Sequence, residues 1–195
     1  NNDDILIYDN SDLKSSCRLW FSLLYFGHDE KKIHILNGGL KKWIFENKPI
    51  TKLTTEIIKS NYVTNEKENL VVSFDQIKKN ILSKSFNVID ARSLERFEGK
   101  VSEPRKGLRS GHIQNSFCLP FNQCINQKTG EFKNLEELRE LFNQNENIEK
   151  RLDQVFTCGS GVTAAVLAYA YKMVNNDYIP KIYDGSWSEY GKYPA

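Results

Sequence analysis

Short apolar runs alternate with amphipathic stretches along this chain, and the alternation predicts its architecture. Residues 5–8 (Ile-Leu-Ile-Tyr) are an apolar run ended by Asp9-Asn10, which reads as a buried strand. Ser11 or Asp12 is placed to cap a helix running through Phe26, with Gly27 to stop it. Residues 33–36 predict a second strand, stopped by Asn37-Gly38-Gly39, and residues 40–46 a short helix. The rhythm fades over residues 49–70, where Pro49 and many Lys, Thr and Asn residues predict a surface linker. It then resumes, with a helix over 74–82, a strand over 87–90, a helical turn over 94–97 and a charged loop over 98–111. A strand over 117–119 follows, and then a helix capped by Asn134 with Glu137 placed for a capping box. A strand over 154–157, a helix over 162–174 and a strand over 181–183 complete the pattern. Strands alternating with helices predict an α/β fold with a parallel sheet flanked by helices.

Composition mainly excludes. Of 195 residues, 39% are hydrophobic and 27% charged, ordinary values for a globular chain. The net charge is +2, with no basic field to attract nucleic acid. No apolar run approaches the ~20 residues of a membrane span. The opening Asn1-Asn2-Asp3-Asp4 lacks the character of a secretory leader. The cysteines are Cys17, Cys118, Cys124 and Cys158, with no CxxC pair. None of His28, His34 and His112 stands at zinc-ligand spacing from them. Neither a metal site nor a disulfide framework is expected, and a reducing, cytoplasmic setting is.

The stretch that carries chemistry is Val155-Phe156-Thr157-Cys158-Gly159-Ser160-Gly161-Val162-Thr163. A strand runs into Cys158, a glycine-rich loop follows, and an apolar helix opens by Thr163. The two glycines are expected to allow positive φ, so that the backbone wraps around the sulfur. Loop amides and the first helical turn then favour a sulfur anion, a persulfide or a tetrahedral oxyanion. Cys17, Cys118 and Cys124 lack that setting and read as small buried hydrophobes. The same loop fits a GxGxxG/A dinucleotide fingerprint with Asp184 as its acidic partner, but the strands that such a fold needs beyond that point are not predicted. A cysteine phosphatase loop places an arginine six positions after its cysteine, and Ala164 stands there.

Taken together, these residues resemble the rhodanese superfamily, specifically its tandem-domain 3-mercaptopyruvate and thiosulfate sulfurtransferases. The likeness lies in Cys158-Gly159-Ser160-Gly161-Val162-Thr163, in Asp90-Ala91-Arg92, Arg96-Phe97 and Glu103-Pro104-Arg105, and in residues 107–113 and 183–191. Tyr8-Asp9, Arg18-Leu19-Trp20 and residues 36–43 extend it to the first block. The resemblance implies residues 1–48 as the second half of an inactive N-terminal rhodanese domain, 49–70 as a linker and 71–195 as the catalytic domain. The first half of the N-terminal domain is then expected to be missing from this sequence, leaving apolar strand edges exposed. Cys158 matches the sulfur-accepting cysteine, and Ser160 the serine that assists proton transfer. Arg96 and Arg105 match the arginines that hold the carboxylate and ketone of mercaptopyruvate, with the loop residues Gly159, Gly161, Val162 and Thr163 around the bound group. The plainer reading of both arginines is ion pairing with Glu95, Glu98 or Glu103.

The implied function is transfer of sulfane sulfur from a small-molecule donor through a Cys158 persulfide to a thiol such as thioredoxin, or to cyanide. No metal, organic cofactor, nucleic acid or membrane is involved. Small, neutral Gly159 and Ser160 favour mercaptopyruvate over thiosulfate; a thiosulfate-using enzyme and a non-catalytic rhodanese-like binding module remain alternatives. His112 is expected to be structural, and Asp90 to orient Arg92 or cap the next turn. Gln114-Asn115, in place of the family's usual Pro-Gly, is expected to loosen one turn.

Overall fold

A computed structural model describes residues 3–193 apart from Leu13, Ile57 and residues 145–147. In the first block, β1 (Ile5–Ile7) leads into α1 (Ser15–Tyr25), then β2 (Ile33–Ile35) and α2 (Gly39–Phe45). β1 and β2 pair in parallel, Ile5 against Ile33 and Ile7 against Ile35. The second block runs α3 (Phe74–Ser83), β3 (Phe86–Asp90), α4 (Leu94–Phe97), β4 (Ser116–Cys118) and α5 (Leu135–Asn143). It continues with β5 (Asp153–Thr157), α6 (Ala164–Val174), β6 (Lys181–Ile182) and α7 (Ser186–Tyr190).

The four strands of the second block form a parallel sheet in the order β4-β3-β5-β6. Parallel neighbours require crossover connections, which place helices on both faces. The two-residue period of a strand sorts its side chains accordingly. Val88 and Val155 pack with Ile77 of α3 and with Tyr183 and Trp187. Ile89, Phe156 and Ile182 pack on the other face with Leu138 and Leu141 of α5 and with the buried alanines of α6.

That second core continues into the first block, through Cys17, Trp20, Phe21 and Leu24 of α1 to Ile7 and Ile33. Trp20 meets Tyr169 of α6 edge to face, with ring centroids 5.0 Å apart. The opposite face of β1 carries Leu6 and Tyr8, which are 59% and 60% exposed. No helix among the described residues is long and apolar enough to cross a membrane.

Several boundaries differ from the sequence reading. α1 begins at Ser15, not after Ser11 or Asp12, because Lys14 takes a left-handed conformation without capping. Asp9 serves the helix start instead, with Oδ2 accepting the Ser16 N–H at 2.6 Å. Gly27 ends the helix at φ +85°, as predicted. The turn at Gln114-Asn115 is pinned, not loosened. Asn115 adopts the left-handed φ of +61° and its Nδ2 donates to Ile81 O at 2.9 Å. Residues 65 and 67 meet the C-terminal end of α1, where the Asn65 and Lys67 N–H groups donate to Phe26 O and Tyr25 O at 3.0 and 2.8 Å. α7 was not predicted from periodicity.

Asp9 gives the first test. Asp9→Ala is expected to lower stability by about 1 kcal/mol, the ordinary worth of a helix-start acceptor, while Asp9→Asn retains most of it. Urea denaturation checks this, and an unchanged midpoint for Asp9→Ala contradicts the role.

Candidate active site

β5 carries Cys158 to the C-terminal edge of the sheet, and α6 starts at Ala164, so the intervening residues form a tight loop beside the sulfur. Cys158 is buried, at 2% exposure. The backbone N–H of Ser160 donates to Sγ at 3.4 Å. The loop's carbonyls are tied elsewhere. Trp187 N–H donates to Cys158 O and Ser188 N–H to Gly159 O, both at 2.9 Å. The Ser188 hydroxyl also donates to Gly159 O. Arg18 Nη1 donates to Gly161 O at 3.3 Å. In a trans peptide the C=O and the following N–H point in opposite directions. In the Gly159–Ser160 peptide the carbonyl goes to Ser188 and the amide goes to the sulfur.

The two loop glycines serve different purposes. Gly161 adopts φ +79°, and a Cβ there would meet Arg18 Nη1 at 2.7 Å and the Asp184 carboxylate. Gly159 is not among the residues with positive φ, contrary to expectation. It provides room instead: a Cβ would lie 3.1 Å from Arg96 Nη2 and 3.6 Å from Arg105 Nη1. The two predicted guanidinium groups thus flank the residue next to Cys158. Val162 and Thr163 sit half-buried between Gly161 and α6, where their carbonyls accept the Ala165 and Val166 N–H groups at 3.2 and 3.1 Å.

Arg96 is held by a chain of alternating charges. Its Nε and Nη2 donate to Glu103 at 3.2 and 2.6 Å. Glu103 also accepts from Arg92 Nη1 at 2.8 Å. Arg92 in turn forks onto Asp90, with Nη2 to Oδ2 at 2.7 Å, and lies 4.4 Å over the Trp187 ring. Asp90 also accepts the Arg92 N–H at 2.9 Å, the orienting role expected of it. Burial pushes the Glu103 carboxyl up, but the Arg96 and Arg92 guanidinium groups outweigh it and hold the group below its ordinary value. The Glu103 pairing that the sequence allowed is present, and it coexists with the approach of Arg96 to the loop.

The remaining candidates are structural. Burial pushes the Cys118 and Cys124 thiols up to about 12 and raises that of Cys17 as well, so all three are poor nucleophiles near neutrality. His112 Nδ1 lies 2.8 Å from Phe97 O and the two rings stack, as expected. A cavity of about 580 Å³ lies elsewhere, between the segment after β1, α2 and residues 121–130, and none of the predicted site residues lines it. Among the described residues, no cluster of three His, Cys, Asp or Glu side chains is placed to ligate a metal ion.

Sequence reasoning assigned no role to Arg18, Ser186 or Ser188, and weighed Asp184 only in the rejected dinucleotide fingerprint. Ser186 accepts the Cys158 N–H at 3.3 Å and donates to Tyr183 O at 2.9 Å, from a left-handed φ of +51°. Arg18 pairs with Asp184. Arg18, the one charged residue of α1, was legible only within the Arg18-Leu19-Trp20 motif.

A parallel α/β sheet that presents one buried cysteine in a backbone cradle, with arginines beside it, defines the class. Residues 73–193 match the rhodanese-like domain, and the chain belongs to that family. It is similar to thiosulfate/3-mercaptopyruvate sulfurtransferase 2 of Arabidopsis thaliana, at 37% identity over all of this chain and 61% of that protein. It is similar to 3-mercaptopyruvate sulfurtransferase of Homo sapiens, at 35% identity over 95% of this chain and 62% of that protein. The crystal structure of SseA from Escherichia coli, described as a 3-mercaptopyruvate sulfotransferase with the rhodanese fold, superposes with a TM-score of 0.79. That likeness is at 30% identity and covers 94% of this chain and 66% of that one. The chain therefore spans about six-tenths of the length of these two curated relatives.

The buried charge chain has a testable pH signature. The depressed value of Glu103 contributes stability that is complete above the ordinary carboxylate range and is lost as pH falls toward the lowered one. Glu103→Gln is expected to cost about 3 kcal/mol at neutral pH and to flatten that part of the acid transition. Urea unfolding from acid to neutral pH reads both, and superimposable profiles for the two proteins contradict the assignment.

Proposed function

We propose that this chain carries the catalytic portion of a tandem rhodanese sulfurtransferase, which moves sulfur from 3-mercaptopyruvate through a Cys158 persulfide to a thiol. The observation that carries this reading is the Ser160 amide on Cys158 Sγ, in a loop whose Gly159 is flanked by Arg96 and Arg105. In this reading residues 71–195 form the catalytic domain, 49–70 the linker and 1–48 the second half of an N-terminal domain. The uncovered Leu6 and Tyr8 face supports the last assignment, since parallel strands are ordinarily covered on both sides.

Arg96 and Arg105 seat the donor's carboxylate and ketone, a task suited to planar guanidinium forks. The Cys158 thiolate attacks the donor's thiol sulfur. An S–S bond forms as the C–S bond breaks, and its electron pair leaves with the carbon as the enolate of pyruvate. A proton from the outer sulfur reaches that carbon with help from Ser160, releasing pyruvate and leaving the persulfide anion among the loop amides. An acceptor thiolate, as in thioredoxin, or cyanide then takes the outer sulfur and returns the Cys158 thiolate. The scheme uses no metal or organic cofactor, nucleic acid or membrane. The cysteines, free among the described residues, support a cytoplasmic, reducing setting.

Local charge supports the choice of donor. Asp90 and Glu103 balance Arg92 and Arg96, and Asp184 balances Arg18, which leaves Arg105 as the excess cation of this group. One excess positive charge suits the mercaptopyruvate monoanion better than the thiosulfate dianion.

Incubation with 3-mercaptopyruvate is expected to add one sulfur, about 32 Da, to Cys158, and Cys158→Ser is expected to abolish the addition. Intact-mass spectrometry reads it; an unmodified Cys158 favours a non-catalytic binding module. In steady-state assays, kcat/KM for 3-mercaptopyruvate is expected to exceed that for thiosulfate by about tenfold or more. A preference for thiosulfate refutes the donor assignment.

A further inference from the structure

We propose that Arg18, carried by α1 of the first block, is a positioning residue for the persulfide loop: it fixes the Gly161–Val162 peptide so that the Val162 N–H faces the sulfur. The proposal rests on the reading that Cys158 holds the persulfide.

Three loop carbonyls are anchored. Two of the clasps, Trp187 and Ser188, come from α7 within the same block. The third comes from Arg18, 143 positions away in sequence. This clasp falls where the loop has least local control. Gly161 stands at φ +79° with no side chain to restrict rotation of the next peptide. Thr163, at the start of α6, makes no side-chain capping bond that would fix it from the other end. The same Arg18 nitrogen pairs with the Asp184 carboxylate, which follows β6. A Cβ at Gly161 would strike both partners, so the glycine, the guanidinium and the carboxylate fit one another.

The guanidinium has a firm base. Cys17, Trp20 and Phe21, beside it on α1, are buried in the core shared with α6. Arg18 itself stands at the rim, with its side chain 33% exposed. A pair that exposed adds little to stability. Its effect is directional: holding Gly161 O away from the sulfur turns the Val162 amide toward it. The first block then supplies a working part of the cradle and is more than a cover for it.

The test compares the unaltered chain with Arg18→Met and Arg18→Lys. Arg18→Met is expected to lower kcat with 3-mercaptopyruvate roughly tenfold, the scale of one charge-assisted hydrogen bond in an anion site. KM should stay within about twofold, because Arg96 and Arg105 are untouched. The thermal midpoint should not move, and Arg18→Lys should recover part of kcat. Alkylation of Cys158 by iodoacetamide, which needs no sulfur donor, should slow in Arg18→Met and recover in Arg18→Lys. Unchanged kcat and alkylation in Arg18→Met overturn the proposal. So does a loss accompanied by a lower thermal midpoint and not relieved by Lys. If the unaltered chain takes up no sulfur, the persulfide reading fails, and the alkylation comparison alone decides the role of Arg18.

Discussion

The site depends on where the carbonyls of one short loop are tied. A buried sulfur has few ways to hold negative charge, and the loop provides one with its own amides. The Ser160 amide meets the sulfur, while Trp187, Ser188 and Arg18 draw the carbonyls of Cys158, Gly159 and Gly161 elsewhere. Each clasp belongs to a different piece of chain from the loop, so the cradle is a product of tertiary structure. The fold brings β5, α6, α7 and α1 together at this one place.

A second layer works through charge. Asp90, Arg92, Glu103 and Arg96 alternate in sign from the end of β3 to the loop. A buried guanidinium or carboxylate is costly alone and tolerable when paired, so the series stands or falls together. Its far end sets Arg96 beside Gly159, and the lack of a side chain at Gly159 lets both arginines approach. The same packing that secures the sheet edge therefore aims the groups proposed to seat the donor.

Much of this was legible in the sequence. The strand, glycine loop and helix around Cys158 could be read from apolar periodicity and two glycines, and the capping box at Asn134 and Glu137 formed as spelled. What could not be read depended on distant partners. Ser11 and Asp12 are sound caps by composition, yet Asp9 reaches the helix start across the intervening turn. Gly159 and Gly161 look alike in sequence, but one answers backbone conformation and the other the bulk of two arginines. Asn115 looked like a loosening substitution, and its side chain turned out to close the turn on Ile81. Arg18 was visible only as part of a motif, because its partners lie at the other end of the chain.

The most direct measurement is a high-resolution crystal structure of this chain after reaction with 3-mercaptopyruvate. The account predicts an outer sulfur on Cys158 that sits within hydrogen-bonding distance of the Ser160 and Val162 amides. An added sulfur turned into the apolar core, with those amides directed elsewhere, would contradict it.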